Sequence, residues 1–223
     1  MDIFRIEGPV QLSGRVRINS SKNASLPIMA AAIMAAGKSV LQGVPLLSDI
    51  SVCEQLLGQL GCKLSREADD ELCIDSTVVD HPVGEYDIVR KMRASICILG
   101  PLLARCGRAE VSMPGGCAIG DRPVDLHIKG LKALGAQIHL KNGYIVAETP
   151  NGLKGAEIFM GGPFGSTVLG TANVLMAATL AKGRTTVESA ACEPEVADLA
   201  NCLNQMGAKI TGIGSPRLMI EGV

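Results

Sequence analysis

The sequence is poor in aromatic side chains. It contains no Trp, and only 2% of its residues are aromatic. The chain therefore lacks the stacking surfaces with which single-strand nucleic-acid binders hold bases. Its formal net charge of -1 gives no overall attraction to nucleic acid or anionic lipid, so locally placed Lys and Arg must hold any anionic ligand. The expected partner is a small molecule, with no nucleic acid and no membrane.

Metal-binding and membrane-spanning patterns are also missing. The eight Cys form no Cys-x-x-Cys pair and have no metal-ligand spacing with the three His, so neither a zinc site nor another cofactor is expected. The longest apolar stretches, such as 28–36 and 174–181, fall short of the roughly 20 residues of a membrane span. Residues 1–10 show no charged-then-apolar leader, which favours a reducing, cytoplasmic location.

The chain does contain a threefold internal repeat. One landmark, an apolar residue followed by Gly, recurs at Gly61, Gly135 and Gly207, with spacings of 74 and 72 residues. A second, an apolar run that ends in Gly and enters an alternating segment, recurs at Gly37, Gly107 and Gly183, with spacings of 70 and 76 residues. Single landmarks of this kind also occur at ordinary helix ends. The agreement of the two periods indicates a true repeat of about seventy residues.

Each unit is predicted to run helix, strand, loop, helix, strand, turn, strand. The first helix is apolar on nearly all faces, as at residues 27–34, and such a helix belongs inside a core. The second helix is amphipathic, begins near a Pro and ends at a Gly that suits a left-handed cap. The sequence therefore predicts three α/β units packed around shared buried helices. A strand predicted at residues 2–5 has no partner among them.

Residues suited to anions stand at the start of each predicted central helix. They are Lys22 with Asn23, Arg93, and the segment 165–167. Helix amino termini present free N–H groups and the positive end of the helix dipole, so they favour phosphate and carboxylate groups. By itself Lys22 fits a solvated surface lysine better. The repeated placement predicts three anion-binding ends on one side of the domain.

A glycine-rich loop interrupts the second unit with the sequence PGGCAIGDRP at 114–123. It places Cys117 near the basic Arg122 and just before a helix, a setting that lowers a thiol pKa, and its glycines allow closure over a ligand. A turn cysteine without chemistry also fits this pattern. Arg122 could likewise simply pair with Asp121 or Asp125.

Four segments together resemble the UDP-N-acetylglucosamine enolpyruvyl transferases. They are SKNASLP at 21–27, MRAS at 92–95, PGGCAIG at 114–120 and RPVDLH at 122–127, and EPEV at 193–196 also matches. The resemblance covers essentially the whole chain, and the cysteine loop separates it from the sister shikimate-phosphate enzymes. It implies an α/β fold of the enolpyruvyl transferase type. In this fold, also called an inside-out α/β barrel, a threefold repeat of βαβαββ-type units surrounds buried central helices.

The resemblance also implies that this chain is an amino-terminal half. Family members are about twice as long and hold a catalytic aspartate and further arginines for phosphoenolpyruvate in the other half. Residues 1–21 are then expected to belong to that other domain, and residues 22–223 to form the three-repeat domain. The chain is expected to act as an enzyme only when complete, and a non-catalytic UDP-sugar-binding fragment is the alternative.

The implied reaction transfers the enolpyruvyl group of phosphoenolpyruvate to the 3-hydroxyl of UDP-N-acetylglucosamine and releases phosphate, as the first committed step of peptidoglycan synthesis. No cofactor is implied. Lys22 and Asn23 are expected to contact phosphoenolpyruvate, and Cys117 to be the catalytic acid and the site of a covalent adduct. The residues expected to contact the sugar nucleotide are Arg93, Arg122, Pro123, Val124, Asp125, Leu126, Gly165, Ser166, Thr167 and Val168. The last four depend on aligning AATL at 177–180, because the segment PFGSTVLGT at 163–171 departs from the family pattern.

Overall fold

The computed structural model of the chain describes residues 3–68, 70–114, 123–163 and 165–223. The helices are α1 (Lys22–Ala31), α2 (Ser48–Gln59), α3 (Tyr86–Val89), α4 (Leu99–Cys106), α5 (Asp125–Ala133), α6 (Val168–Thr179) and α7 (Pro194–Gln205), and 3-10 helices cover Ala32–Met34 and Arg93–Ile98. The strands are β1 (Lys38–Gln42), β2 (Lys63–Ala68), β3 (Glu71–Asp75), β4 (Val83–Gly84), β5 (Arg108–Ser112), β6 (Gln137–Lys141), β7 (Tyr144–Glu148), β8 (Glu157–Phe159), β9 (Gly161–Gly162), β10 (Gly165–Ser166), β11 (Arg184–Glu188), β12 (Lys209–Thr211) and β13 (Arg217–Glu221).

The larger sheets repeat one arrangement. Each has an antiparallel core, in the orders β1-β3-β2, β5-β7-β6 and β11-β13-β12. The second and third sheets carry one more strand, since β4 pairs parallel to β5 and β8 pairs parallel to β11. The predicted order of elements is confirmed, and the second and third units have the βαβαββ form. Within the described residues the first sheet has three strands.

The central helices are buried, as their apolar faces predict. Helix α6 buries every residue from 170 to 179, and it packs against α1, against α4 and against the 3-10 helix Arg93–Ile98. The amphipathic helices α2, α5 and α7 bury one face each, for example through Ile50 and Leu57 of α2. No helix in the described ranges is long and apolar enough to cross a membrane.

Each amphipathic helix ends in the same left-handed cap. The backbone φ values are 106°, 97° and 108° at Gly61, Gly135 and Gly207. In each case the N–H of the following residue donates to a carbonyl five residues earlier, as from Cys62 to Leu57 at 3.1 Å. This geometry favours glycine, because a side chain at positive φ is strained. The predicted caps are confirmed.

The first sheet has an open edge at β1. In the other two units the additional strand also contacts an amphipathic helix, β4 contacting α2 and β8 contacting α5. The equivalent space between β1 and α7 is a groove of about 560 Å³, lined by residues that include Leu41 and Cys202. Residues 3–20 are exposed and form no regular element. The strand predicted at residues 2–5 is therefore not formed at residues 3–5, which pair with no strand of the described residues.

Close packing of the central helices can be tested at Gly100 of α4. A Cβ added there would overlap the backbone oxygen of Asn173 in α6. We expect Gly100→Ala to lower the free energy of unfolding by about 1–3 kcal/mol, measured by urea denaturation. Gly58→Ala is the matched control, because its nearest neighbour, the Leu64 side chain, lies 3.8 Å away. The control should raise stability by up to about 1 kcal/mol, and equal midpoints for the two variants would contradict this packing.

Candidate functional site

The starts of two central helices are fixed by side-chain caps. The Ser21 hydroxyl accepts a hydrogen bond from the Ala24 N–H at 3.4 Å, and the Thr167 hydroxyl accepts one from the Gly170 N–H at 3.2 Å. Helix α1 therefore begins at Lys22, so Lys22 and Asn23 lie in its first turn. The remaining N–H groups of these first turns are available to an anion.

All three helix starts face one cavity of about 280 Å³. Its lining residues are Lys22, Asn23, Leu26, Pro27, Asp49, Met92, Arg93, Ala94, Val168, Leu169, Ala172, Glu195 and Val196. The predicted convergence of the three ends is thus present in the structure. We call this space the α1 cavity.

A second cavity of about 420 Å³ adjoins the first. Its lining residues are Arg93, Pro123, Asp125, Leu126, His127, Gly162, Pro163, Gly165, Ser166, Thr167, Val168 and Leu169. Arg93, Val168 and Leu169 line both spaces, so Arg93 stands at their junction. We call the second space the α5 cavity.

The two cavities separate the predicted site residues into two groups. Lys22 and Asn23 lie in the α1 cavity, whereas most of the residues predicted to contact the sugar nucleotide lie in the α5 cavity. Val124 is 6% exposed and belongs to the hydrophobic core, so its side chain is not available to a ligand. Cys117 and Arg122 lie outside the described residues.

Sequence reasoning missed two acidic residues at the site, Asp49 and Glu195. Like the predicted Asp125, each occupies the first turn of an amphipathic helix, so that every unit has one such acid. Asp49 and Glu195 line the α1 cavity, and Asp125 lines the α5 cavity. Their equivalent positions in the repeat were the signal that could have identified them.

Lys22 forms an ion pair across the α1 cavity. Its Nζ lies 2.6 Å from Oδ2 of Asp49, and the two side chains are 41% and 31% exposed. A pair this open to water contributes little to stability. Its effect is to hold the ammonium group at the cavity wall, where an anionic ligand must share it with Asp49.

His127 is a neutral part of the α5 cavity. It is 1% exposed, and its Nδ1 lies 2.9 Å from Nδ2 of Asn173. Burial, together with a smaller effect of the Arg93 charge, lowers the pKa of His127 to about 4, and the Asp125 charge acts in the opposite direction. At neutral pH the cationic side chains in the described lining are therefore Lys22 and Arg93.

With this geometry established, comparison with known proteins identifies the family. A family model described as EPSP synthase (3-phosphoshikimate 1-carboxyvinyltransferase) matches residues 6–223. The chain belongs to the EPSP synthase family.

Similar curated sequences in this family are UDP-N-acetylglucosamine 1-carboxyvinyltransferases. The chain is 53% identical over 223 residues to that of Methylacidiphilum infernorum and 49% identical over 223 residues to that of Akkermansia muciniphila. Each alignment covers 100% of this chain and 52% of the relative. The resemblance predicted from the sequence motifs is confirmed, and the chain spans about half the length of the curated relatives it matches.

Solved structures of enolpyruvyl transferases share the fold. The enolpyruvyl transferase NikO from Streptomyces tendae matches with a TM-score of 0.81 at 21% identity, over 95% of this chain and 49% of that chain. An EPSP synthase from Acinetobacter baumannii matches with a TM-score of 0.74 at 19% identity, over 94% and 47%. The predicted enolpyruvyl transferase-like α/β fold is confirmed.

The buried His127 should make stability depend on pH. Its folded-state pKa lies below the ordinary 6.5, so the unfolded chain binds the proton more readily, and stability falls as pH drops from about 6.5 to about 4. A shift of this size corresponds to about 3 kcal/mol. We expect urea midpoints at pH 7 and pH 4.5 to differ more in the native chain than in a His127→Gln variant. An equal pH dependence in both would contradict the buried neutral ring.

Proposed function

We propose that this chain is the amino-terminal, substrate-binding half of a UDP-N-acetylglucosamine 1-carboxyvinyltransferase. The observation that carries this proposal is the pair of adjoining cavities at the helix starts, with Arg93 at their junction. Two anionic substrates that must react with each other need two such spaces with a shared cation. The names of the similar curated proteins support the same assignment.

The α5 cavity suits the sugar nucleotide. Its volume of about 420 Å³ falls within the range of small-molecule pockets. Arg93 and the start of α6 offer positive charge to a diphosphate, and the exposed Ser166 offers a hydroxyl. Leu126 and Pro163 provide an apolar wall for the base. Contacts from Arg122 are carried over from the family resemblance.

The α1 cavity suits phosphoenolpyruvate. Lys22, Asn23 and Arg93 surround a smaller volume of about 280 Å³ and can bind a phosphate and a carboxylate. In the proposed reaction the sugar 3-hydroxyl gives its proton to a residue of the second half, its oxygen bonds to C2 of phosphoenolpyruvate, and C3 gains a proton. C3 then loses a proton as the bond from C2 to the phosphate oxygen breaks, which leaves the enol ether and free phosphate. Cys117 is the proposed proton donor, by resemblance to the family.

The open edge of the first sheet at β1 supports the proposal that a second half of the protein completes this sheet. In all three units the backbone N–H of the residue after the last strand donates a hydrogen bond to the carbonyl of an equivalent glycine. The pairs are Ser76 to Gly37 at 2.9 Å, Thr149 to Gly107 at 2.8 Å and Gly222 to Gly183 at 3.0 Å. Strands β4 and β8 begin soon after the first two of these positions. We infer that a strand of the second half follows the third of these positions, Gly222, and fills the groove beside β1. Residues 1–21 are proposed to join that half in exchange.

The proposed location is the cytoplasm, and the proposed role is peptidoglycan synthesis, which links the enzyme to cell shape and division. A non-catalytic UDP-sugar-binding protein is the second candidate, and the coverage of about half of each relative favours it for this chain alone. Release of phosphate from the two substrates separates the two functions.

Arg93 provides the first test of this proposal. We expect Arg93→Ala to weaken UDP-N-acetylglucosamine binding about tenfold in calorimetric titration, because one charge-assisted contact is worth on the order of 1–2 kcal/mol. Arg90→Ala is the matched control, since Arg90 lies 3.8 Å from Asp87 and lines neither cavity. Equal affinities in the two variants would remove Arg93 from the site.

The isolated chain should bind without turning over. The residues expected to complete the phosphoenolpyruvate site and to accept the hydroxyl proton belong to the second half, so phosphate release should equal that of a sample without protein. A continuous phosphate assay with both substrates measures this. Steady release that disappears in Cys117→Ala would show that the chain alone holds a complete active site.

Cys117 should be the most electrophile-sensitive thiol. Burial raises the pKa of Cys97 to about 12 and that of Cys53 as well, so neither is expected to react. Cys192 is exposed at the junction of β11 and α7 and serves as an internal comparison. A thiol reagent at limiting ratio, followed by peptide mass mapping, should modify Cys117 first, and Cys117→Ser should abolish that early label. First labelling at Cys53, Cys97 or Cys202 would overturn the assignment. Fosfomycin, an epoxide that alkylates the loop cysteine of the family that the motifs resemble, offers a more specific probe.

A further inference from the structure

The carboxamide of Asn173 occupies an unusual place between two helices. Asn173 lies within α6 and is 0% exposed. Its Oδ1 accepts a hydrogen bond from the Gly100 N–H at 2.7 Å, and its Nδ2 donates one to the Ile96 carbonyl at 3.0 Å. In a regular α-helix the Gly100 N–H would bond to the Ile96 carbonyl directly. The Asn173 amide is thus inserted into the backbone ladder where the 3-10 helix Arg93–Ile98 joins α4.

This insertion fixes the orientation of the amide. If its oxygen and nitrogen were exchanged, the NH2 group would face the Gly100 N–H and the oxygen would face the Ile96 carbonyl, so both contacts would be repulsive. The observed orientation is therefore the one that satisfies all three groups. It leaves the second N–H of Nδ2 directed at Nδ1 of His127, 2.9 Å away.

The fixed amide determines which nitrogen of His127 carries the proton. Nδ2 of Asn173 can only donate, so Nδ1 of His127 must accept and cannot hold a proton. The neutral ring then carries its proton on Nε2. Since Asn173 uses Nδ1, Nε2 is the ring nitrogen that remains for the α5 cavity, which the ring lines.

We propose that Asn173 is a positioning residue that holds His127 as a neutral Nε2–H donor and fixes the helix that begins with Arg93. One buried amide thereby aligns two groups of the α5 cavity, a cation and a neutral donor, that lie on different elements. The groups facing the ring are Asn173 from α6 and the charges of Arg93 and Asp125, and the Arg93 charge favours the neutral ring. The donor would serve an acceptor oxygen such as a phosphate oxygen, and that last step rests on the proposed function.

The tautomer can be observed directly in the native chain. The chain has three His, and long-range proton–nitrogen NMR of 15N-histidine-labelled protein at pH 7 distinguishes the two tautomers. His127 should show a protonated Nε2 and an unprotonated Nδ1. A His127→Gln sample assigns its signals. A protonated Nδ1 on His127 in the native chain would overturn the proposal without any variant of Asn173.

A variant tests whether Asn173 is the cause. Asn173→Asp keeps the shape but replaces the donor with an oxygen, so the ring should move its proton to Nδ1 or bind a second one. Thr179→Val is the matched control, because it removes a buried hydrogen bond of α6, from the Thr179 hydroxyl to the Leu175 carbonyl at 3.0 Å, without touching the ring. The control should leave the tautomer unchanged. A folded Asn173→Asp protein that still shows only Nε2–H would overturn the assignment to Asn173.

The ligand step has a separate readout. Adding UDP to the labelled native chain should shift the His127 Nε2–H signal. If the tautomer is as expected and UDP shifts nothing, the nucleotide does not occupy this cavity and the proposed function fails there, while the positioning role of Asn173 stands. If UDP shifts the His127 ring signals but the ring carries its proton on Nδ1, the positioning role fails and the nucleotide site stands.

Discussion

The fold of this domain depends on the burial of helices that have no polar face. A helix such as α6, in which residues 170–179 are all buried, is stabilised only when other apolar surfaces surround it. The repeat supplies three such helices, and they cover one another while the sheets and the amphipathic helices cover their remaining surfaces. Because the units are equivalent, the central helices run in the same direction. Their amino termini therefore meet at one end, where the α1 and α5 cavities lie.

The same packing leaves few polar groups in the core, and the hydrogen bonds of those groups affect how the helices are arranged. Within the described residues Asn173 is completely buried and reaches the backbone of Ile96 and Gly100 as well as the His127 ring. Leaving any of these groups unpaired would cost about 1–3 kcal/mol. A buried network of this kind favours one arrangement of the helices, so the geometry of the cavities depends on contacts made behind them.

Much of the fold could be predicted from the sequence, because it depends on signals that repeat. Gly61 and its equivalents mark helix ends through a backbone conformation that other residues avoid, and their spacing predicted the three units. The short strand β4 could not be predicted, since Val83 and Gly84 are too few to show alternation. Its existence depends on pairing with β5, which lies far along the chain.

The cavity lining could be predicted where a cationic residue lies at the start of a predicted helix, as Lys22 and Arg93 do. The contact of Lys22 with Asp49 could not be predicted, because the two residues lie 27 positions apart and meet only through the packing of α1 on α2. The role of Asn173 was equally hidden. In the sequence Asn173 is only an isolated polar residue within an apolar helix. Its hydrogen-bond partners become evident only in the structure, where α6 crosses the junction at Gly100.

The described lining of the two cavities holds little net positive charge. In the described lining two cations, Lys22 and Arg93, face three acids, Asp49, Asp125 and Glu195. Lys22 is already paired with Asp49 at 2.6 Å, so little net positive charge is left to hold the two proposed substrates, each of which carries several negative charges. Helix amino termini contribute only about 0.3–1 kcal/mol each at exposed sites. Further cations are needed, and the proposed sources are Arg122 and the second half. The strand groove beside β1 is where that half would attach, so completion of the sheet and completion of the site's charge are expected to occur together.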